Sequence, residues 1–148
     1  MQISVDVKSR IDAAKALLPE AMTLALAAIG EDMEGFAKDD CPVDTGLLRN
    51  SITYALSGQK PKIEAYKADR PDKSGTVRTG AYSTTAPQSD SETAIEILLG
   101  SNVEYAAAVE TRPASHEVGK MHFLRDAIAN HIPEYKKKME QVISAKLS

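Results

Sequence analysis

The feature that most constrains this chain is an apolar stripe: Ile11, Leu18, Met22, Leu26, Ile29, Met33 and Phe36 recur at steps of three, four or seven. That spacing predicts a helix from about residue 8 to residue 38 with one greasy side committed to packing. Pro19 interrupts it, because proline lacks an N–H and its ring crowds the carbonyl four residues back. A kink is expected there, or two helices with Pro19 in the first turn of the second. Gly30 and Gly35 weaken the latter half, and the Asp39 to Pro42 run stops it, since the residue before a proline is pushed out of the α region. A loop begins near Asp39.

Past that loop, Ile52, Tyr54 and Leu56 alternate with Ser51, Thr53 and Ala55, a period of two that predicts a strand ending at Ser57-Gly58. Lys62 to Tyr66 is its expected hairpin partner. Residues 67 to 93 are rich in Gly, Pro, Ser, Thr and Asp and nearly free of large aliphatics, which predicts a long mobile loop. Ala94 to Gly100 reads as a buried strand, and Val103 to Glu110, with its three consecutive alanines, as a short helix. Leu124, Ile128, Ile132, Tyr135, Met139, Val142 or Ile143, and Leu147 restore helical spacing at the end, with Pro133 repeating the problem of Pro19. No internal repeat is visible. The fold class predicted is α+β: a long N-terminal helix and a C-terminal helix packed on a small, mainly antiparallel sheet.

At 148 residues the chain suffices for one domain with one shared core. Its 43% apolar and 26% charged residues place it among globular proteins. With 18 Lys and Arg against 21 Asp and Glu, the net charge of −3 argues against tight, sequence-reading capture of nucleic acid. The most apolar stretch, Met22 to Gly30, is about half of what a bilayer span needs, so no membrane partner is expected. A single cysteine, Cys41, builds no disulfide framework, and the first residues lack the basic-then-apolar order of a secretory signal. The expected setting is a reducing cytoplasm.

Catalytic constellations are absent from the pattern, and no enzyme activity is expected. Cys41 follows Asp39 and Asp40, whose charge would keep its sulfur as thiol. It reads as a buried small hydrophobe. His116, His122 and His131 lack zinc-ligand spacing, so no metal is assigned. Gly75 and Gly80 have the spacing of a phosphate loop, but Ala81-Tyr82 stands where Lys-Ser/Thr is required; no cofactor is expected. Glu31, Asp32, Glu34, Asp39, Asp40 and Asp44 read as a solvated acidic face. Lys60, Lys62, Lys67, Arg70, Lys73 and Arg78, diluted by Glu64, Asp69 and Asp72, read as a soluble loop or as a sequence-blind contact for phosphates or an acidic partner.

Three segments read together resemble a known family. The first, CPVDTGLLRNSI at Cys41 to Ile52, is similar to a Pro-Val-Asp-Thr-Gly-x-Leu-Arg-x-Ser-Ile signature that follows a first helix. The second is EYAAAVE at Glu104 to Glu110, and the third is FLRDAI at Phe123 to Ile128. Together they resemble the head-tail joining, tail-completion or neck proteins of long-tailed bacteriophages and prophages, of the type called HK97 gene-ten-like, over roughly residues 8 to 147. This chain departs from the family pattern with Thr111-Arg112 in place of Gly-Thr, His122 in place of the proline before Phe123, and Asp126 in place of a proline.

The resemblance implies a structural virion protein, made in the bacterial host cytoplasm, that forms a ring at the head-tail junction, with a hexamer the best guess. Its implied partners are copies of itself, neighbouring head-completion, connector and tail-tube or tail-terminator proteins, and genomic DNA passing without sequence-specific binding. The alternative is a monomeric module that uses residues 67 to 93 to bind a protein or nucleic acid. The residues carrying the resemblance are Pro42, Asp44, Thr45, Gly46, Leu48, Arg49, Ser51, Ile52, Tyr105, Val109, Glu110, Phe123, Leu124 and Arg125. Their chemistry suits a rigid elbow: Pro42 sets an extended approach, Asp44 and Thr45 cap the turn that follows, and Gly46 permits a backbone angle closed to other residues. Leu47 or Leu48, and then Ile52, return to the core. Arg49 holds a loop carboxylate of its own chain, Asp44 or Glu110, or reaches a neighbouring subunit. Tyr105 and Val109, four apart, share a helix face as core or as subunit contact.

Overall fold

The computed structural model describes residues 2–90, 94–112 and 119–148. Helix α1 (Gln2–Asp40) is a single helix of 39 residues, starting earlier than the stripe predicts and not divided at Pro19. Proline removes one rung of the ladder, and the Thr23 hydroxyl donates to the Pro19 carbonyl at 2.9 Å in the turn that follows. The buried line is Ala21, Ala25, Ile29, Met33 and Ala37, carried on by Cys41. This step of four differs from the predicted stripe: Ile29 and Met33 belong to both, Met22, Leu26 and Phe36 are half-buried, and Leu18 is exposed. The side chain of Ile11 lies outside the described residues. The last helix, α5 (Ile132–Leu147), lies along α1 with Tyr135 on Ile29 and Met33, while Ala37 packs against Phe123 and Ala127.

The C-terminal pattern resolves into two helices, α4 (Phe123–Ala129) and α5, which break at Asn130-His131. Pro133 sits in the first turn of α5, where a missing N–H costs nothing. Between α1 and α4 lie α2 (Leu47–Ser51), β1 (Thr53–Leu56), β2 (Ala65–Lys67), β3 (Thr79–Ala81), β4 (Ile97–Gly100) and α3 (Ala106–Thr111). The fold is α+β, but the strands form two separate two-stranded antiparallel sheets, β1-β4 and β2-β3.

Several expectations are corrected here. Ser51 closes α2 instead of opening β1, and β1 is buried along its whole length instead of alternating. Both of its faces are covered. Tyr54 lies against Gly30 of α1, where a Cβ on the glycine would meet the ring at 2.4 Å. Segment 84–87 runs over the other face, pinned by hydrogen bonds from Gly58 N to Pro87 O and from Ala86 N to Gln59 O.

The partner of β1 is β4, with Thr53 opposite Gly100 and Leu56 opposite Ile97, and not Lys62 to Tyr66. Strand β4 brings Ile97 and Leu99 onto Ile29, Met33 and Tyr135, apolar area that the local candidate lacks. Of the expected buried strand Ala94 to Gly100, only Ile97–Gly100 forms, and it is half-buried. The helix expected from Val103 begins at Ala106.

Residues 67–90 are not one loop. Lys67 ends β2, β3 pairs with it, and Ala68 is 2% exposed. Residues 91–93 lie outside the described residues, as does His116.

Candidate functional site

The segment 41–52 turns the chain sharply from α1 into α2. Gly46 makes the turn with φ 85°, in the left-handed region that only glycine adopts freely. Its place is also crowded: a Cβ there would lie 2.5 Å from Asp69 Oδ2. Asp69 is the hub of the elbow. Its carboxylate accepts from Arg49 Nη2 and, at 2.7 Å, from Asn50 Nδ2. Its own N–H donates to Thr45 O at 2.8 Å. Arg70 adds a hydrogen bond from Nε to Asp44 O at 2.8 Å. The hairpin β2-β3 is thereby locked to the elbow by main-chain and side-chain bonds together.

Arg49 thus holds a carboxylate of its own chain, and the partner is Asp69 instead of Asp44 or Glu110. Asp44 contributes its carbonyl, and Thr45 Oγ1 accepts weakly from Leu47 N at 3.4 Å. Leu48, Ser51 and Ile52 are buried. The Ser51 hydroxyl bonds Leu48 O at 2.6 Å and meets the Ser101 hydroxyl, while the Tyr82 hydroxyl donates to Ser51 O. Tyr66 donates to Asn102 Oδ1 and stacks obliquely on Tyr82, centroids 5.6 Å apart. Two tyrosines and two asparagines therefore fasten the hairpin, and none was named among the candidate residues. The signal for them was slight: polar residues in a loop-like segment have no period from which to read a partner.

The second and third candidate segments meet the first. Ala37, Cys41, Leu48, Ile52, Ala106, Phe123 and Ala127 form one apolar cluster, with Val103, Val109 and Leu124 against it. Pro42 is buried beside Gly119, whose Cβ would meet Pro42 N at 2.4 Å. Glu110 closes the arrangement: Oε2 accepts from Leu124 N at 2.9 Å and Oε1 from Arg125 N at 3.0 Å. A carboxylate there satisfies two free N–H groups of α4 and complements its positive end. The Arg125 side chain turns to Asp126, Nε to Oδ1 3.4 Å. Tyr105 departs from expectation: it is the N-cap residue of α3, 46% exposed, so it is not core while Val109 is half-buried. His122 has φ 61°, a conformation closed to the proline of the resembled family.

Cys41 is fully buried, and burial pushes its thiol up to about 12, with Arg49 opposing and Glu110 adding to the shift. Asp39 and Asp40 are not the cause. The expected acidic face is largely committed to pairs: Glu31 with Lys62 at 2.6 Å, Asp32 with Lys138 at 2.7 Å, Glu34 with Lys38 at 2.8 Å and Asp40 with Lys120 at 3.2 Å. Among the described residues no group of three His, Cys, Asp or Glu is placed to hold a metal ion. Among them, too, no helix is long and apolar enough to cross a membrane.

No family model, no curated protein and no solved structure matches this chain. The arrangement is thus described by its own geometry. It is a buried thiol and apolar cluster under a hydrogen-bonded elbow, with a carboxylate cap joining α3 to α4. Nothing in it combines a nucleophile, a base and an open cleft.

Proposed function

We propose that this chain is a structural subunit that assembles with copies of itself into a ring at the junction of head and tail in a long-tailed phage or prophage. The observation that supports this reading is the convergence of three segments. Cys41 to Ile52, Glu104 to Glu110 and Phe123 to Ile128 are the stretches that resemble neck proteins, and they share one apolar cluster closed by Glu110. Residues spread over the chain that resemble one family also meet in one core, and that supports reading them together. The role is one of shape. The elbow fixes the angle between α1, α2 and the hairpin, and a repeated angle is what a closed ring requires of each subunit.

The test is imaging of the purified protein by negative-stain microscopy, together with inactivation of its gene in a phage or prophage that carries it. Rings with a central opening, and filled heads accumulating beside unjoined tails, are the expected results. Joined, infectious particles made without the protein would overturn the reading. A chain that stays monomeric and binds DNA at sub-micromolar concentration in physiological salt would instead favour the binding module, with Lys67 and Lys73 on the exposed hairpin as its contacts.

A further inference from the structure

The seam between α1 and α5 is open on one side. Where α4 gives way to α5, a groove of about 170 Å³ runs over Ile29 and Met33 of α1, with Tyr135 and Met139 in its α5 wall. Ile128 of α4 and Ile132 of α5 stand at its margin, 43% and 47% exposed. That margin is fixed in place: Phe36 stacks flat on His131, centroids 3.6 Å apart, and His131 Nδ1 meets Glu134 Oε2 at 3.1 Å. The break between the two helices is thereby pinned, and the groove is preformed. Its chemistry is narrow. The Tyr135 hydroxyl donates to Ala127 O, so the one neutral polar side-chain group of the lining is spent within the fold. Aliphatic and thioether surface remains, together with the Lys136 ammonium. Lys136 and Lys137 are exposed, and among the described residues no carboxylate pairs with either, whereas Asp32 answers Lys138 at 2.7 Å. Pockets for small molecules run about 300–1,000 Å³ and offer placed polar groups; this groove is smaller and offers none that is neutral.

We infer that this groove seats an acidic amphipathic helix of another protein, its apolar face between Ile128 and Ile132 and its carboxylates on Lys136 and Lys137. The spacing supplies the shape of the occupant. Ile132, Tyr135 or Lys136, and Met139 follow at steps of three and four, so the trough runs two turns along α5, and a helix presents anchors at the matching rhythm. The two unpaired ammonium groups supply its sign. A second copy of this chain is a poor match: its exposed Leu17 and Leu18 share a helix surface with exposed Lys15 and lie beside the Lys146–Glu20 pair, so docking would bring lysine to lysine. A lipid surface is a poor match too, because the isoleucines flank a concavity and the whole chain carries a net charge of −3. The groove is complete in one subunit, so the inference goes beyond the ring reading and does not depend on it.

Fluorescence anisotropy of the full chain with a labelled synthetic helix is the test. The probe is an end-capped peptide of about four turns with leucines at steps of three and four and glutamate elsewhere, and its counterpart carries lysine for every glutamate. Saturable binding of the acidic peptide is expected, weakening as salt rises, with the lysine peptide bound at least about tenfold more weakly. Lys136→Glu combined with Lys137→Glu is expected to lower affinity for the acidic peptide about tenfold without moving Tm, since both side chains are exposed. Ile132→Ser lowers it likewise, while Lys60→Glu, an exposed reversal in the loop after β1, leaves it unchanged. No binding of the acidic peptide at millimolar protein, equal binding of the two peptides, or a folded Lys136→Glu, Lys137→Glu protein that binds as tightly as the parent would overturn the proposal. Binding to phosphatidylserine vesicles in place of the peptide would assign the groove to a lipid surface, and self-association lost in Ile132→Ser would assign it to a second copy; either result overturns it as well.

Discussion

Gly46 carries two separate constraints, a positive φ and the Asp69 carboxylate where its Cβ would stand. Gly46→Val is therefore expected to cost about 1–3 kcal/mol through strain at that backbone angle, read as a fall in Tm on thermal unfolding. Gly46→Val combined with Asp69→Ala should recover only the crowding part, leaving the strain, and full recovery would show that φ does not matter. Arg49→Lys acts on an exposed pair, its side chains 36% and 48% accessible, so its cost should stay below about 1 kcal/mol. The demand for glycine at 46 was legible in the sequence, because Asp-Thr-Gly ahead of an apolar pair is a turn with a mechanism. The partner of Arg49 was not, since Asp69 is placed by strand pairing twenty positions away and no local rule reaches that far. Cys41 makes a further prediction. Its folded thiol is raised to about 12 from a usual value of 9.0, so between those values the folded state holds a proton that the unfolded state has lost. Stability is then full below pH 9 and falls as pH rises toward 12, and Tyr82 and Tyr135, raised from 10.0 to about 12, add to the same loss. Thermal melts across pH 7 to 11 on the parent and on Cys41→Ala should show a shallower alkaline fall in the variant.

Among the elements, α4 depends on a residue outside itself. It is a seven-residue helix without a side-chain cap at His122, and Glu110 supplies the acceptors its first N–H groups need. Glu110→Ala should cost about 1 kcal/mol, the usual scale of a lost N-terminal cap, and Glu110→Gln less, since one oxygen still accepts. Thermal unfolding measures both. The hairpin gives a second prediction at this scale. Lys67 has its carbonyl held by Asn50 and is followed by buried Ala68, Arg70 precedes Pro71, and Arg78 leads directly into β3. Lys73, exposed in the tip between Asp72 and Thr76, is the expected first site of trypsin cleavage in this region, and first cleavage after Lys67 or Arg78 would contradict the locked hairpin. The existence of α1 and of the terminal helical region followed from apolar spacing, since burial on one side needs only local periodicity. Strand pairing did not follow. Lys62 to Tyr66 is nearer to β1 than β4 is, but Ile97 and Leu99 reach Ile29 and Met33, and area gained in the core outweighs the small added cost of closing a longer loop.

At the scale of the whole molecule, α1 outruns what it packs against. Its 39 residues make a rod of about 58 Å, whereas α5 has 16 residues and lies along only part of it. The end of α5 is marked by Lys146, which pairs with Glu20 at 3.1 Å. The buried line begins at Ala21, and Lys15 to Glu20 are exposed, Leu17 and Leu18 at 39% and 38%. The chain's own core therefore makes little demand on Lys15 to Glu20, and the leucines exposed there are free to meet something outside the chain. Leu17→Ser combined with Leu18→Ser is thus expected to leave the melting temperature of the protein within a few degrees of the parent, because both side chains are exposed and neither belongs to the core clusters. If the proposed ring is right, the same double substitution should impair ring formation and head-tail joining, measured by microscopy of the purified protein and by infectious yield when the altered gene replaces the original. A large fall in melting temperature would assign the segment to the fold. Unchanged stability with unchanged assembly would remove Leu17 and Leu18 from any contact in the proposed ring.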